Sequence, residues 1–414
     1  MIKKLQLYDI NLLYVILAFL SLFFYTLFYN YWSNYNYLFL SVSFFIFLNY
    51  LTKNKGIEIF RPILLIYLFF IIIFSLPLLY SNFYYARGVI NQYFFIFISF
   101  TVCLIYLTIK IDNKSEFYFN TIFDKILFST LLAVFVFYLL CILYLNIFHY
   151  PIINIFYYIE GNSKILVLPF SWQFKSNYDF YLQGLNLFDF KKQEIGNSMF
   201  FFFSLLIVSK INKYLKFLIG IIVFLLLCVS IRQLILSAVV FYFLFYFSSL
   251  IHNRKTNTLI ILIASFTFLA LIILRYFDAY LDINSLSNND PRVSILNNTV
   301  YALKNNVLGG GFQSYQYLFM TSTESDVVSI LLNFGIILGT IFYAIHLILL
   351  FNFVNIYKNV NMFDKFIFIY FGLFIFSGIG EDNMFRLTHW IITGLFFTSY
   401  FFNKNKNEEI SKKI

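Results

Sequence analysis

Three arginines, a run of glycines and two carboxylates carry most of the chemistry available to this chain, and all fall between residues 230 and 340. Arg232 stands in Ser230-Ile231-Arg232-Gln233, Arg275 ends an apolar stretch, and Arg292 follows Asp290-Pro291. A guanidinium pairs bidentately with phosphate, so arginines gathered at one mouth would suit a pyrophosphate. Gly309-Gly310-Gly311 can turn successive backbone N–H groups toward one point and cradle an anion, although a plain turn is the simpler reading. Glu324 and Asp326 directly precede an apolar run. There they would cap a helix, and either could take a proton from a hydroxyl.

Arg292 begins a segment with its own signature. Asp290-Pro291 is a good helix start, and Val293, Leu296, Val300, Leu303 and Val307 recur at helical spacing. The pattern predicts an amphipathic helix lying on a membrane surface. The bland reading of Arg292 in that setting is a side chain that snorkels to lipid phosphates.

The elements that must position these residues are set by composition. The chain has 414 residues, 61% hydrophobic and only 12% charged, with a mean hydropathy of +0.81. Soluble domains carry about 25% charged residues, so too few charges are present to cover a water-facing surface. The expectation is an all-α polytopic membrane protein, a single integral membrane domain over 1–414. Apolar runs predict about twelve transmembrane helices near 10–29, 37–51, 62–80, 93–109, 126–148, 195–209, 217–231, 234–251, 258–277, 327–350, 366–380 and 389–402. A continuous 217–251 helix would be too long to cross once without a large tilt, which favours a tight hairpin at Arg232-Gln233.

With both termini inside (N-in, C-in), 19 of the 29 basic residues fall in the inner segments, as the positive-inside rule requires. The net charge of +10 is then a topology signal, and nucleic acid is not an expected partner. Two outer, periplasmic loops are long, 149–194 and 278–326, and are expected to contain short helices and to carry the function. The N-terminal apolar run is too long for a signal peptide and has no cleavage site. Cys103, Cys141 and Cys228 lie inside expected spans, where packed thiols are the natural reading. His149, His252, His346 and His389 show no ligand spacing, and neither a metal nor another cofactor is expected. Outer aromatics such as Trp172, Tyr178, Tyr181 and Trp390 fit a membrane aromatic belt better than a sugar platform.

The order of these features resembles the bacterial O-antigen ligase and polymerase superfamily. The resemblance rests on Ser230-Ile231-Arg232 between two mid-chain spans, Arg292 in a long outer loop, Gly309-Gly310-Gly311, and Asp326 leading to Gly335 and Gly339. It covers a minority of the chain, and the remainder agrees only in hydropathy. Two features point to an O-antigen polymerase within the superfamily. The segment Glu324-Ser325-Asp326-Val327 lacks the histidine that ligases place there, and the long outer loops are the third and the fifth.

The resemblance implies a metal-independent membrane glycosyltransferase of lipopolysaccharide or related polysaccharide biosynthesis. It would sit in the bacterial inner membrane with its active site facing the periplasm. A growing glycan would leave undecaprenyl pyrophosphate and join the sugar of a second lipid-linked repeat unit. Arg232 and Arg292 would neutralise the departing phosphates, with Arg275 as helper and Gly309, Gly310 and Gly311 adding N–H donors. Asp326 or Glu324 would be the base. Tyr315, Lys175 and Lys164 would contact the substrate, with loop 149–194 forming part of the groove. The partners implied are the lipid-linked donor and acceptor, the bilayer and a chain-length regulator.

Three other readings compete. An O-antigen ligase would transfer the same lipid-linked glycan to another acceptor. A lipid-linked oligosaccharide flippase or other transporter tends to carry midplane charges and short outer loops, unlike this pattern. Other outer-face transferases that use lipid-linked sugars carry acids in the first outer loop, whereas residues 30–36 contain none.

Overall fold

The structure is a computed structural model that describes residues 61–76, 86–112, 157–160, 163–166, 192–209, 212–220, 238–245, 298–299, 301, 304, 309, 325–378 and 387–413. The expected spans 10–29, 37–51, 126–148 and 258–277 lie outside these residues, as does the junction at Arg232-Gln233. What is described is predominantly helical: α1 (Arg61–Ser75), α2 (Ala86–Asp112), α3 (Lys192–Val208), α4 (Asp326–Val354), α5 (Met362–Ser377) and α6 (Leu387–Lys413). Residues 213–220 and 238–245 are also helical.

Local chemistry explains where these helices depart from the expected boundaries. α1 stops at Ser75 rather than near 80, because Leu76 precedes Pro77 and a residue before proline avoids the helical conformation. α2 already begins at Ala86, so Arg87 lies in a first helical turn and not in a loop. α5 starts where the Asn361 Oδ1 accepts the Asp364 N–H at 2.8 Å, an N-cap contact. α6 runs on past 402 to Lys413. Along the sequence its end places opposite charges four residues apart, at 404 and 408, 408 and 412, and 409 and 413, a spacing favourable to helix.

One long loop holds an element that hydropathy did not predict. Within 149–194 the described residues 157–160 and 163–166 form an antiparallel hairpin, an element that the expectation of short helices did not include. Its strands are β1 (Tyr157–Glu160) and β2 (Ser163–Leu166), registered from Tyr157↔Leu166 to Glu160↔Ser163. Gly161-Asn162 between runs rich in Tyr, Ile and Leu is a two-residue hairpin signal. In the other long loop, residues 298, 299, 301 and 304 are helical, with Thr299 buried and Tyr301 and Lys304 exposed. That agrees with the helical spacing read in this segment.

The chain divides into two compact units. One comprises Met1–Tyr50, Ile111–Ala238 and Asn361–Tyr370; the other comprises Leu51–Lys110, Val239–Val360 and Phe371–Ile414. In the first, Phe201 of α3 packs edge-on against Phe366 at 5.2 Å and Tyr370 at 5.6 Å. The Lys216 ammonium donates to the carbonyls of Ile207 and Ser209, at 2.7 and 3.0 Å. It thereby satisfies carbonyls at the C-terminal end of α3, and partial burial holds its pKa below the ordinary lysine value.

In the second unit α2 and α6 approach closely through small residues. Thr398 Oγ1 donates to the Cys103 carbonyl at 2.8 Å, and a Cβ on Gly394 would run into the Ser99 carbonyl. Ser99 and Cys103 on one helix face Gly394 and Thr398 on the other, each pair four apart, the spacing that lets helix backbones meet inside membranes. Cys103 is thus a buried, free thiol, as expected of a packed one. Gly394→Leu should cost about 1–3 kcal/mol by overpacking, against about 1 kcal/mol for Thr398→Val, which removes a single hydrogen bond. The melting temperatures of the purified variants check the order: Gly394→Leu must fall further than Thr398→Val.

Candidate functional site

Of the residues that the sequence singled out for chemistry, Asp326 and Gly309 lie within the described part. Arg232, Arg275, Arg292, Gly310, Gly311, Tyr315, Glu324, Lys164 and Lys175 lie outside it as side chains. The site is therefore built from the element that holds Asp326.

α4 is not one straight helix. Gly335 has φ 78° and ψ 168°, which breaks it into 326–334 and 336–354. Positions nine apart on a straight helix are separated by about 13.5 Å. Here a Cβ on Gly339 would lie 3.3 Å from the Ile330 carbonyl and 3.2 Å from the side chains of Ile330 and Leu331. The two pieces therefore meet at a sharp angle. By length and composition the whole of α4 could cross a membrane. Given the break, only 336–354 remains long enough, at about 28 Å against a hydrocarbon core of roughly 30 Å. The expected tenth span, 327–350, falls within α4, and the structure adds a break that divides it into a short helix and a longer one. The cause is Gly335, whose positive φ interrupts α4.

Gly309 packs against this break. It is buried, with φ 88°. A Cβ there would meet the Gly335 amide nitrogen, and would lie 2.6 Å from the Asn333 carbonyl oxygen. The glycine run and the spaced glycines of the following helix are separate features in the sequence. In the structure Gly309, Gly335 and Gly339 converge on one bend. Gly309 thus has a packing reason to be glycine in addition to any part in holding an anion.

At the other end of the short piece, Ser325 is the N-cap and Asp326 the first helical residue. The Asp326 N–H donates to the Gly378 carbonyl at 2.8 Å, and the Ser325 hydroxyl donates to the same oxygen at 3.3 Å. A Cβ on Gly378 would lie 2.7 Å from Asp326 Oδ2, so the carboxylate lies against a residue without a side chain. Its place in the first turn is favourable for an anion, because the partial positive charge of the helix dipole lies there.

Between these ends the short piece carries a buried polar face that sequence reasoning missed. Asp326, Ser329 and Asn333 are 3%, 5% and 2% exposed, and their spacing of three and seven residues puts them on one side of a helix. Among the described residues, Asn333 Oδ1 has no hydrogen-bond partner. The signal was legible as three polar residues at helical spacing in an otherwise apolar run. It was obscured because the run was read as one ordinary span.

A second buried polar group lies deeper in the same unit. His346 and His389 bring their rings to 6.2 Å between centroids. His346 Nδ1 bonds the Phe342 carbonyl at 2.8 Å, and among the described residues the Nε2 atoms of both rings have no partner. Phe70 stacks on His346 at 5.6 Å. Trp390, expected in an outer aromatic belt, is instead fully buried with its ring edge-on to His389 at 5.8 Å. Among the described residues, no three His, Cys, Asp or Glu side chains gather where they could hold a metal ion.

Comparisons with known proteins return nothing: no family model, curated protein or solved structure matches the chain.

Proposed function

We propose that the protein is a polytopic inner-membrane glycosyltransferase that polymerises undecaprenyl-pyrophosphate-linked repeat units into a surface polysaccharide on the periplasmic face. The observation that carries the reading is the packing of Gly309 on the Gly335 break of α4. It brings two parts of the superfamily-like pattern together, with Asp326 at the head of the same short helix. Exposed apolar side chains support the membrane setting. Leu65 and Ile72 on α1, Phe97 on α2 and Ile337 on α4 are each more than half exposed, which suits lipid and would be unfavourable in water.

In this reading the pyrophosphate is already a good leaving group, so no acid need protonate it. Arg232 and Arg292 stabilise the departing charge, with Arg275 assisting. Asp326 or Glu324 receives the proton of the attacking hydroxyl. The twelve spans, the N-in and C-in orientation and the chain-length regulator belong to the same proposal.

The broken helix also favours a second reading, a lipid-linked oligosaccharide transporter, since discontinuous helices with buried polar faces are common in that class. One experiment separates these readings. Cells lacking the protein should carry surface glycan of a single repeat unit, and the intact gene, but not its Arg292→Ala form, should restore long chains. Lipid-linked units trapped on the inner leaflet would instead identify a transporter. Complete loss of capped glycan with units stranded outside would identify a ligase.

A further inference from the structure

We infer that the start of helix 213–220 is a docking surface for anionic phospholipid. The Lys213 ammonium pairs with a net-negative headgroup, and Tyr214, Phe217 and Leu218 lie against the lipid below it. The inference rests on the membrane setting proposed above and is independent of the polymerase chemistry.

The sequence supplies the charge. Lys210, Lys213 and Lys216 recur at every third position, and no acidic residue stands between Glu194 and Asp278. Lys210 lies outside the described residues, and the structure gives the other two different roles. Lys216 is tied to the end of α3 through the carbonyls of Ile207 and Ser209. Lys213 is exposed, and among the described residues no carboxylate pairs with it.

Its position adds to the need for an anion. Asn212 starts the helix: its Oδ1 accepts the Tyr214 N–H at 3.1 Å, and its carbonyl accepts the Lys216 N–H at 2.8 Å. Lys213 therefore stands in the first turn, where the helix dipole disfavours a cation. A negative headgroup there answers both the ammonium and the dipole.

An apolar surface adjoins the charge. Lys216 and Gly220 face α3, since a Cβ on Gly220 would lie 3.4 Å from the Leu206 side chain. At 3.6 residues per turn, Tyr214 and Leu218 fall on the opposite side, and Lys213 and Phe217 share one flank. Tyr214, Phe217 and Leu218 are 86%, 72% and 54% exposed. An acidic protein would satisfy the lysine alone. Three large apolar side chains, each more than half exposed and leading into the apolar run from 217, favour lipid. The order also fits, with lysine and tyrosine at headgroup level and phenylalanine and leucine beyond them.

The test places photoreactive benzoylphenylalanine at position 214 of the full chain, in proteoliposomes of equal parts phosphatidylcholine and phosphatidylglycerol. After irradiation the attached lipids are identified by mass. The same substitution at Ile337, exposed on α4 in a stretch without charge from 327 to 357, is the reference. Phosphatidylglycerol should be enriched about fivefold at 214 relative to 337, the preference expected of one lysine at an anionic surface. Lys213→Gln should bring the ratio to within about twofold of the reference, and Lys213→Arg should keep it. High salt should weaken the enrichment.

Equal lipid ratios at 214 and 337 would overturn the inference, as would an enrichment that survives Lys213→Gln. Attachment at 214 to protein in place of lipid would overturn it too. Each of these leaves the membrane setting intact if lipid is attached at 337. Failure to attach lipid at either position would overturn the membrane setting and the inference with it.

Discussion

Gly309→Ala should be among the most destabilising single-methyl changes in this protein. Two separate penalties meet at that position. A non-glycine residue held at φ 88° costs roughly 1–2 kcal/mol. The new Cβ must also displace backbone atoms of Asn333 and Gly335, and overpacking typically costs about 1–3 kcal/mol. Neither obstacle is a flexible side chain, so little of the cost can be relieved by a change of rotamer. The combined loss is a large part of the roughly 5–15 kcal/mol that holds a folded domain together. Gly220 supplies the control, since among the described residues a Cβ there would meet only the end of the Leu206 side chain at 3.4 Å. Thermal melting of purified protein should therefore show Gly220→Ala near wild type and Gly309→Ala far below it. Equal melting temperatures would mean that the glycine run does not dock on α4 as described.

The second large effect concerns Asp326. Asp326→Asn preserves the shape that lies against Gly378 and keeps a residue suited to the start of a helix. What it removes is the negative charge. As a structural element that charge contributes about 0.3–1 kcal/mol through the helix dipole, enough to alter stability a few-fold. As the base for the acceptor hydroxyl it contributes roughly 10²–10⁴ in rate. The two roles differ by orders of magnitude, and the experiment can tell them apart. Elongation reduced by at least about a hundredfold, with normal protein level and melting temperature, is the expected result. A few-fold reduction that tracks a small stability loss would leave Glu324 as the remaining candidate.

Much of the helical architecture was legible because hydrophobic runs report directly on helices buried in an apolar environment. α1, α2, α3, α5 and α6 all fall on expected runs, and their errors are confined to ends set by local chemistry. Pro77 shortens the first of these, and charges spaced four apart lengthen the last. The hairpin at 157–166 was missed although Gly161-Asn162 announces it, because the segment was read for charge and aromatics and not for alternation. The break in α4 was hidden for a different reason. Gly335 and Gly339 were noticed as spaced glycines, but hydropathy is blind to backbone torsion, and an apolar run reads the same whether it is straight or bent.

The candidate site was legible only in part. Asp326 was chosen for its charge and its place before a span, and the structure gives that place a buried partner in Gly378. The link between residues 326 and 378 is long-range and had no sequence signal beyond the glycine. Asn333 was passed over because an isolated asparagine in an apolar run reads as a tolerated polar residue. The meeting of His346 with His389 likewise depends on how α4 and α6 pack, which spacing along the chain does not encode.

The most direct test of the central claim is elongation by the purified full-length protein in proteoliposomes supplied only with undecaprenyl-pyrophosphate-linked repeat unit. The account predicts glycans of two or more repeat units together with released undecaprenyl pyrophosphate. It also predicts that Arg292→Ala, inserted at normal level, lowers both by at least about a hundredfold, the loss expected when transition-state charge goes unstabilised. Repeat units that remain single with the intact protein, or an Arg292→Ala form that elongates as wild type does, would contradict it.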